Sequence, residues 1–194
     1  MSGSFDILIV GIGGQGTILA SNILGEACLI EGRSIKGAET HGMAQRGGSV
    51  ESHIRIDGLF GPLIPPGLAD LLISFDLLEA LRYSHYLKKG GKMVANRHLV
   101  IPTSVYTQKL VAPTEDEIIT ALKKNVLCLI DADKMAEEAG SPLSQNVVML
   151  GAASLSMPLK PESLLMAVKN LVPKKTIGIN VKAFESGREF GRTC

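Results

Sequence analysis

Residues 5–17 read Phe-Asp-Ile-Leu-Ile-Val-Gly-Ile-Gly-Gly-Gln-Gly-Thr, and this stretch decides the fold. Phe5 to Val10 is a short apolar run bounded by glycine, the pattern of a central parallel strand covered on both faces. Gly11, Gly13 and Gly16 then satisfy G-x-G-x-x-G, with Gly14 and Gln15 completing the turn. From Thr17 to Ile30 the residues Ile18, Leu19, Ile23, Leu24, Ala27 and Ile30 fall at near-helical spacing. A strand, a glycine-rich turn and a helix are therefore predicted in that order. No charge occurs between Ile7 and Gly25, nearly the length of a membrane span, but the five glycines of that segment break such a helix. The first basic residue is Arg33, so the positive region that opens a signal peptide is missing.

Outward from this core, Arg33 to Lys36 is expected as a short second strand, and Gly37 to Gly48 as a long ordered loop. Ser49 to Asp57 alternates Val50, Ser52, Ile54 and Ile56 with Glu51, His53 and Arg55, which predicts a half-exposed antiparallel strand near a sheet edge. Leu68 to Phe75 is a buried strand, and Leu77 to Leu87 a helix ended by Lys88-Lys89-Gly90-Gly91. Lys92 to Asn96 and Val126 to Ile130 are further strands, while Val100 to Pro113 has extended character without a firm assignment. Helices are expected over Thr114 to Lys124, with Thr114 and Glu117 as a capping box, and over Asp131 to Ala139. Ser144 to Ser156, Pro161 to Leu171 and Ile177 to Phe190 follow as helices, the last broken by glycines. Strands alternating with helices imply an α/β fold: a three-layer α/β/α single domain over residues 1–194, with a mostly parallel, mixed sheet.

Composition narrows the functions. The 194 residues carry 20 Lys and Arg against 19 Asp and Glu, a net charge of +1 that argues against a strongly basic nucleic-acid-binding domain. A chain of this size buries about 70% of its unfolded surface, so it needs neither metal nor disulfides to form a core. Cys28, Cys128 and Cys194 are far apart and form no C-x-x-C pair, which removes zinc knuckles and ferredoxin clusters. Cys28 and Cys128, in apolar surroundings, are expected as small buried hydrophobes. The cytoplasm is the default compartment.

Two stretches can carry chemistry. The free N–H groups expected where Gly11, Gly13, Gly14, Gln15 and Gly16 enter the helix suit an anion of phosphate size. The same turn also fits a tight contact with a partner, a nicotinamide fingerprint or a purely structural bend. A nicotinamide site asks for an acidic residue at the end of the second strand, and neither Glu31 nor Glu39 is placed there. The second stretch, Lys36 to Gly48, interleaves Glu39, Thr40, His41, Gln45 and Arg46 with glycines, including Gly47 and Gly48. Arg46 can fork onto a carboxylate or phosphate, and His41 beside Glu39 can form a proton-transfer pair. The competing reading is a polar loop seated against another subunit. His53 and His85 are expected as exposed or satisfied histidines, and Asp131 and Asp133 as residues that begin a helix rather than bind magnesium.

Taken together, Gly11-Ile-Gly-Gly-Gln-Gly16 and Lys36-Gly-Ala-Glu-Thr-His-Gly-Met-Ala-Gln-Arg-Gly-Gly-Ser-Val50 resemble the gamma-type subunits of 2-oxoacid:ferredoxin oxidoreductases, above all those acting on arylpyruvates such as indolepyruvate. The resemblance continues through Asn146-Val-Val-Met-Leu-Gly151 and Asn180-Val-Lys-Ala-Phe-Glu-Ser-Gly187. It implies a supporting subunit, inactive alone, of an enzyme that decarboxylates a 2-oxoacid, reduces ferredoxin and forms an acyl-CoA. Thiamine diphosphate, magnesium and [4Fe–4S] clusters are then expected on a larger alpha subunit, because this chain lacks the Gly-Asp-Gly segment and the cysteines they require. Coenzyme A is a possible ligand. By that resemblance, Gly11–Gly16 holds phosphate or closes a channel that Gln45, Arg46, Gly47 and Gly48 line. An assembly subunit without catalytic residues and an independent NAD-dependent dehydrogenase are the alternatives.

Overall fold

Strand β1 (Phe5–Ile12) is excluded from water on both faces: Ile7 and Ile9 enter one hydrophobic cluster, Leu8 and Val10 another, and all four are fully buried. A computed structural model gives this arrangement and describes residues 3–41, 48–123 and 125–194. After β1 come α1 (Thr17–Ile30), β2 (Ile35–His41), β3 (Ser49–Ile56), β4 (Ala69–Ser74), α2 (Leu77–Tyr83) and β5 (Leu87–Asn96). The chain continues through α3 (Thr103–Thr107), α4 (Glu115–Leu122), β6 (Val126–Ile130), α5 (Ala132–Ala139), α6 (Gln145–Ala153), α7 (Pro161–Leu171) and α8 (Ile177–Gly191).

The sheet has the order β2-β3-β1-β4-β5-β6. β1, β4, β5 and β6 are parallel, whereas β3 runs antiparallel to both β1 and β2. Side chains of α1, α5, α6, α7 and α8 fill one face and those of α2 and α4 the other, which makes the three layers and the mixed sheet expected of the sequence. The capping box is present at α4, where Glu117 N–H donates to Thr114 Oγ1 and Thr114 N–H to Glu117 Oε2. Gly140 stops α5 in the left-handed conformation, with φ 119°.

Several sequence expectations are corrected. Residues 37–41 belong to β2 rather than to a loop; 42–47 lie outside the described residues. β3 is antiparallel, but it lies one strand in from the edge and is largely buried, so Ser49, His53 and Arg55 find partners inside the protein. His53, for example, accepts a hydrogen bond from Ile64 N–H at its Nδ1. Lys88-Lys89-Gly90-Gly91 imitates a helix end, yet it lies within β5. The pairing there jumps from Ala69–Leu87 to Leu71–Lys92, and Gly90 takes φ 79°. A side chain on Gly91 would stand 2.9 Å from Ala69 O. The excursion needs two glycines, which is why it reads as a cap. Residues 103–107 of the unassigned middle form α3. Cys128 is not a free buried thiol: it is bonded to Cys194, which ties the carboxyl end to edge strand β6. Cys28 alone remains a thiol, and burial pushes its pKa up to about 11, so it stays protonated and unreactive.

The glycines of the last helix do not break it. A Cβ on Gly187 would stand 2.0 Å from Val148 O, and one on Gly151 would stand 2.1 Å from Phe184 O, so α6 and α8 touch backbone to backbone. Every residue of α6 from Asn146 to Ala153 is buried, as a helix surrounded by other elements requires. Both obstacles are main-chain atoms that cannot rotate away. Gly187→Ala should therefore lower stability in urea by at least about 2 kcal/mol. Gly178→Ala, in the same helix with nothing within 4 Å, should raise it by about 0.5 kcal/mol. Equal midpoints for the two variants would contradict the close crossing.

Candidate functional site

The turn after β1 sits at the carboxyl end of the parallel strands, where the sheet changes direction between β3 and β4 and where open α/β sheets bind ligands. Gly13 N–H donates to Gly48 O at 2.9 Å, and Gln15 N–H to Ile12 O at 3.1 Å. Gly14 and Gly16 adopt φ 107° and 81°, a region that side-chain-bearing residues rarely enter. Gly16 has a second reason to be glycine, which Gly11 shares. A Cβ on Gly11 would lie 2.8 Å from Gln15 Oε1, and one on Gly16 would lie 2.6 Å from Asn146 Nδ2.

Gln15 is turned inward. Its Oε1 accepts from Ile12 N–H at 2.7 Å and its Nε2 donates to Phe75 O at 3.3 Å. The side chain staples the turn to β4, so the part of this segment facing outward is its backbone. Helix α1 opens with Gly16, without a side-chain cap and without an acidic residue in its first turn. The N–H groups at its start are offered to whatever lies in front of them.

Glu39 lies on β2 in register with Ser52 and accepts from Ser21 Oγ of α1 at 2.7 Å. His41 ends β2, in register with Val50. Gln45, Arg46 and Gly47 lie outside the described residues, and Gly48 enters through its carbonyl on Gly13.

Sequence reasoning missed a polar cluster beside the turn. Asp76, fully buried, caps α2: its Oδ1 accepts from Leu78 N–H at 2.8 Å and Glu79 N–H at 3.2 Å, and its Oδ2 from Val100 N–H at 2.8 Å. Burial raises its pKa against the pull of those N–H donors. Asn96 ends β5. Its Oδ1 accepts from Ala132 N–H at 2.9 Å, and its Nδ2 lies 3.1 Å from Asp133 Oδ2, 3.4 Å from Gln145 Oε1 and 3.5 Å from Phe75 O. Asp133 also meets His98 Nδ1 at 2.9 Å. Asn146, at the start of α6, donates to Gly16 O at 3.3 Å. Phe75 O thus joins the Gln15 staple to the Asn96 cluster. The signal was positional: Asn96 closes a parallel strand, and Asp76 and Asp133 each stand within three residues after one.

A second buried carboxylate stands at the start of β3. Glu79 takes Ser49 Oγ at 2.5 Å and Arg82 Nη1 at 3.1 Å, and burial is the largest influence on it, raising its pKa. Tyr83, whose hydroxyl lies 3.3 Å from Ser49 Oγ, is likewise raised by burial.

Chemically, this end offers N–H donors, amides and a carboxylate-held imidazole. That set suits binding and orienting an anion rather than attacking a bond. Among the described residues, no three His, Cys, Asp or Glu side chains are grouped to hold a metal. The cysteines do not fit a cluster, one being a buried thiol and the other two joined to each other. The topology also departs from a nicotinamide fold: antiparallel β3 stands between β1 and β2, so the second strand is not beside the glycine turn. No described helix is long and apolar enough to cross a membrane.

A family model described as "Pyruvate ferredoxin/flavodoxin oxidoreductase" matches residues 6–190. The chain is 40% identical over 189 residues to the indolepyruvate oxidoreductase subunit IorB of Thermococcus kodakarensis, covering 94% of each chain. Its fold matches the gamma subunit of a keto/oxoacid ferredoxin oxidoreductase from Geobacter sulfurreducens at a TM-score of 0.73 and 25% identity, over 98% of this chain and 99% of that one. It also matches 2-oxoglutarate:ferredoxin oxidoreductase from Magnetococcus marinus, solved with 2-oxoglutarate, coenzyme A and succinyl-CoA bound. There the TM-score is 0.76 at 20% identity, and this chain spans 32% of the larger one.

The raised pKa of Glu79 gives a signed expectation. A carboxyl whose folded pKa lies above its unfolded value adds stability as pH falls through the folded pKa, and that stability is lost as pH rises through it. Comparing wild type with Glu79→Gln in urea, the difference should shift in favour of wild type as pH is lowered from neutral towards the ordinary carboxylate range. A shift in the opposite direction would mean that Ser49 and Arg82 outweigh burial.

Proposed function

The chain belongs to the pyruvate ferredoxin/flavodoxin oxidoreductase family as a subunit of the 2-oxoacid:ferredoxin oxidoreductases, and from that premise we propose that it completes the coenzyme A side of an arylpyruvate-oxidising complex. The observation that carries this reading is the 40% identity, over 94% of both chains, to an indolepyruvate oxidoreductase subunit. In the proposed complex, a larger alpha subunit holds thiamine diphosphate, magnesium and [4Fe–4S] clusters, and ferredoxin accepts the electrons. When bound on that subunit, thiamine diphosphate would supply the electron sink that decarboxylation of a 2-oxoacid requires. This chain's own residues do not fit those groups and carry no step through them.

Their contribution is binding and enclosure. The backbone N–H groups of Gly14, Gly16 and Thr17, fixed by the Gln15 staple, hold a phosphate of coenzyme A without reorganising at each turnover. Asn96 and the His98–Asp133 pair supply further fixed dipoles at the same end of the sheet. Gln45, Arg46, Gly47 and Gly48 continue the lining, with Arg46 as a forked donor to phosphate and Glu39 and His41 as candidates for moving a proton. Water exclusion by the assembled subunits strengthens each of these interactions.

The inward orientation of Gln15 also supports a second reading, in which the turn is scaffold for a subunit contact and holds no ligand. One set of experiments separates the two. The tagged chain, isolated without oxygen from its own cells, should carry a brown thiamine-diphosphate subunit and reduce a viologen with indolepyruvate and coenzyme A. Gly13→Val should keep that partner but raise the KM for coenzyme A at least tenfold, because a side chain there occupies the ligand's space. Loss of the partner with an unchanged KM in the residual complex would establish the scaffold reading. A colourless chain purifying alone with a bound nucleotide would overturn both.

A further inference from the structure

Glu79 is 3% exposed and stands on α2 between Leu77 and Ala80, both fully buried in the hydrophobic cluster on that face of the sheet. A carboxylate is costly to keep out of water unless hydrogen bonds hold it, so its donors show what it serves. Oε1 accepts from Arg82 Nη1 at 3.1 Å, within the same helix. The Arg82 side chain is half in water, and such a pair stabilises little. Oε2 accepts from Ser49 Oγ at 2.5 Å, and that bond crosses from α2 to the start of β3. Tyr83 adds its hydroxyl, 3.3 Å from the same Oγ.

Ser49 lies where backbone pairing holds β3 least. Its register partner Ile12 makes the last pair between β1 and β3, whereas the pairing of β2 with β3 stops at His41 and Val50. The first residue of β3 thus has a strand on one side only. Immediately before it, Gly48 O accepts from Gly13 N–H at 2.9 Å. Whatever fixes Ser49 therefore fixes that carbonyl against the glycine turn. The junction of β4 with α2 also grips the turn directly, because Phe75 O accepts from Gln15 Nε2 at 3.3 Å. Asp76, the next residue, anchors α2 through the N–H groups of Leu78, Glu79 and Val100. One braced element holds the turn at two points: at Gln15 directly, and at Gly13 through Glu79, Ser49 and Gly48.

We propose that Glu79 is a positioning residue for the glycine turn. Its bond to Ser49 keeps Gly48 O on Gly13 N–H, which keeps the N–H groups of Gly14, Gly16 and Thr17 in one arrangement before a ligand arrives. Glu79 itself touches no ligand. The kinetic consequence rests on the coenzyme A reading above, whereas the consequence for the Gly13 amide does not.

Two readouts test this. Ser49→Ala removes the donor, and Glu79→Met removes the acceptor while filling similar space. In the isolated chain, hydrogen exchange at the Gly13 amide, followed by NMR, should be at least tenfold faster in either variant, as loss of a charge-assisted bond implies. The amides of Ile7 to Val10 should keep their protection. In the anaerobically purified complex, the same variants should raise the KM for coenzyme A at least tenfold and leave kcat within twofold. Combining them should add nothing, because both remove one bond. Ser49→Thr, which keeps the hydroxyl, should match wild type in both readouts. Unchanged Gly13 exchange in Ser49→Ala, faster exchange spread evenly along β1, or a Ser49→Thr as impaired as Ser49→Ala overturns the proposal and leaves the coenzyme A reading standing. Faster exchange confined to Gly13 with an unchanged KM overturns the coenzyme A reading and, with it, the kinetic role of Glu79.

Discussion

The direction of the sheet changes at β1. That strand is paired antiparallel to β3 on one side and parallel to β4 on the other, with both faces closed to water. Its side chains must therefore be apolar in succession, and the chain can leave only at the end, through a turn tight enough to start α1 on one face. The glycines of that turn answer this constraint first. Gly14 and Gly16 supply the left-handed backbone, Gly11 makes room for Gln15, and Gly16 makes room for Asn146. Gln15 and Asn146 then fix the turn to β4 and α6. A backbone surface of fixed N–H donors follows from that packing.

The two ends of the sheet differ in their electrostatics. At the amino end, charges are matched in pairs: Arg55 forks onto Asp6 at 2.9 and 2.8 Å, Lys88 pairs with Asp70, and Arg33 meets Asp57 at 2.8 Å. Arg33 holds the Asp57 carboxyl below its usual range. Such pairs close a surface and leave little charge for a ligand. At the carboxyl end the prominent groups are backbone N–H donors, Asn96, Gln145, Asn146 and the His98–Asp133 pair. The asymmetry follows the rule that parallel strands present binding groups at their carboxyl ends.

Much of this was legible in the sequence because local and tertiary signals agreed. The bounds of α1 and α7, the α4 capping box and the strand character of β1 and β6 were readable from periodicity and caps alone. The resemblance motifs acquire physical meanings in the structure: Asn146 clasps Gly16, while Gly151 and Gly187 let α6 and α8 touch. What was not legible depended on distance through space. The Gly90–Gly91 excursion looks like a helix cap until Ala69 O is seen beside it. β2 looks like loop because its glycine and polar residues satisfy the needs of an edge strand. Cys128 and Cys194 are 66 residues apart in sequence, and only the return of α8 brings them together. The Asn96 cluster was hidden for the same reason, since its members come from three strand ends and one helix.

On the proposed reading, the active site is completed only where this chain meets the large subunit. The most direct measurement is add-back: the large subunit prepared without this chain, then titrated with it under anaerobic conditions while viologen reduction by indolepyruvate and coenzyme A is followed. The account predicts no turnover from either component alone and activity that saturates at a fixed stoichiometric ratio. Full turnover by the large subunit alone, or substrate oxidation by this chain alone, would contradict it.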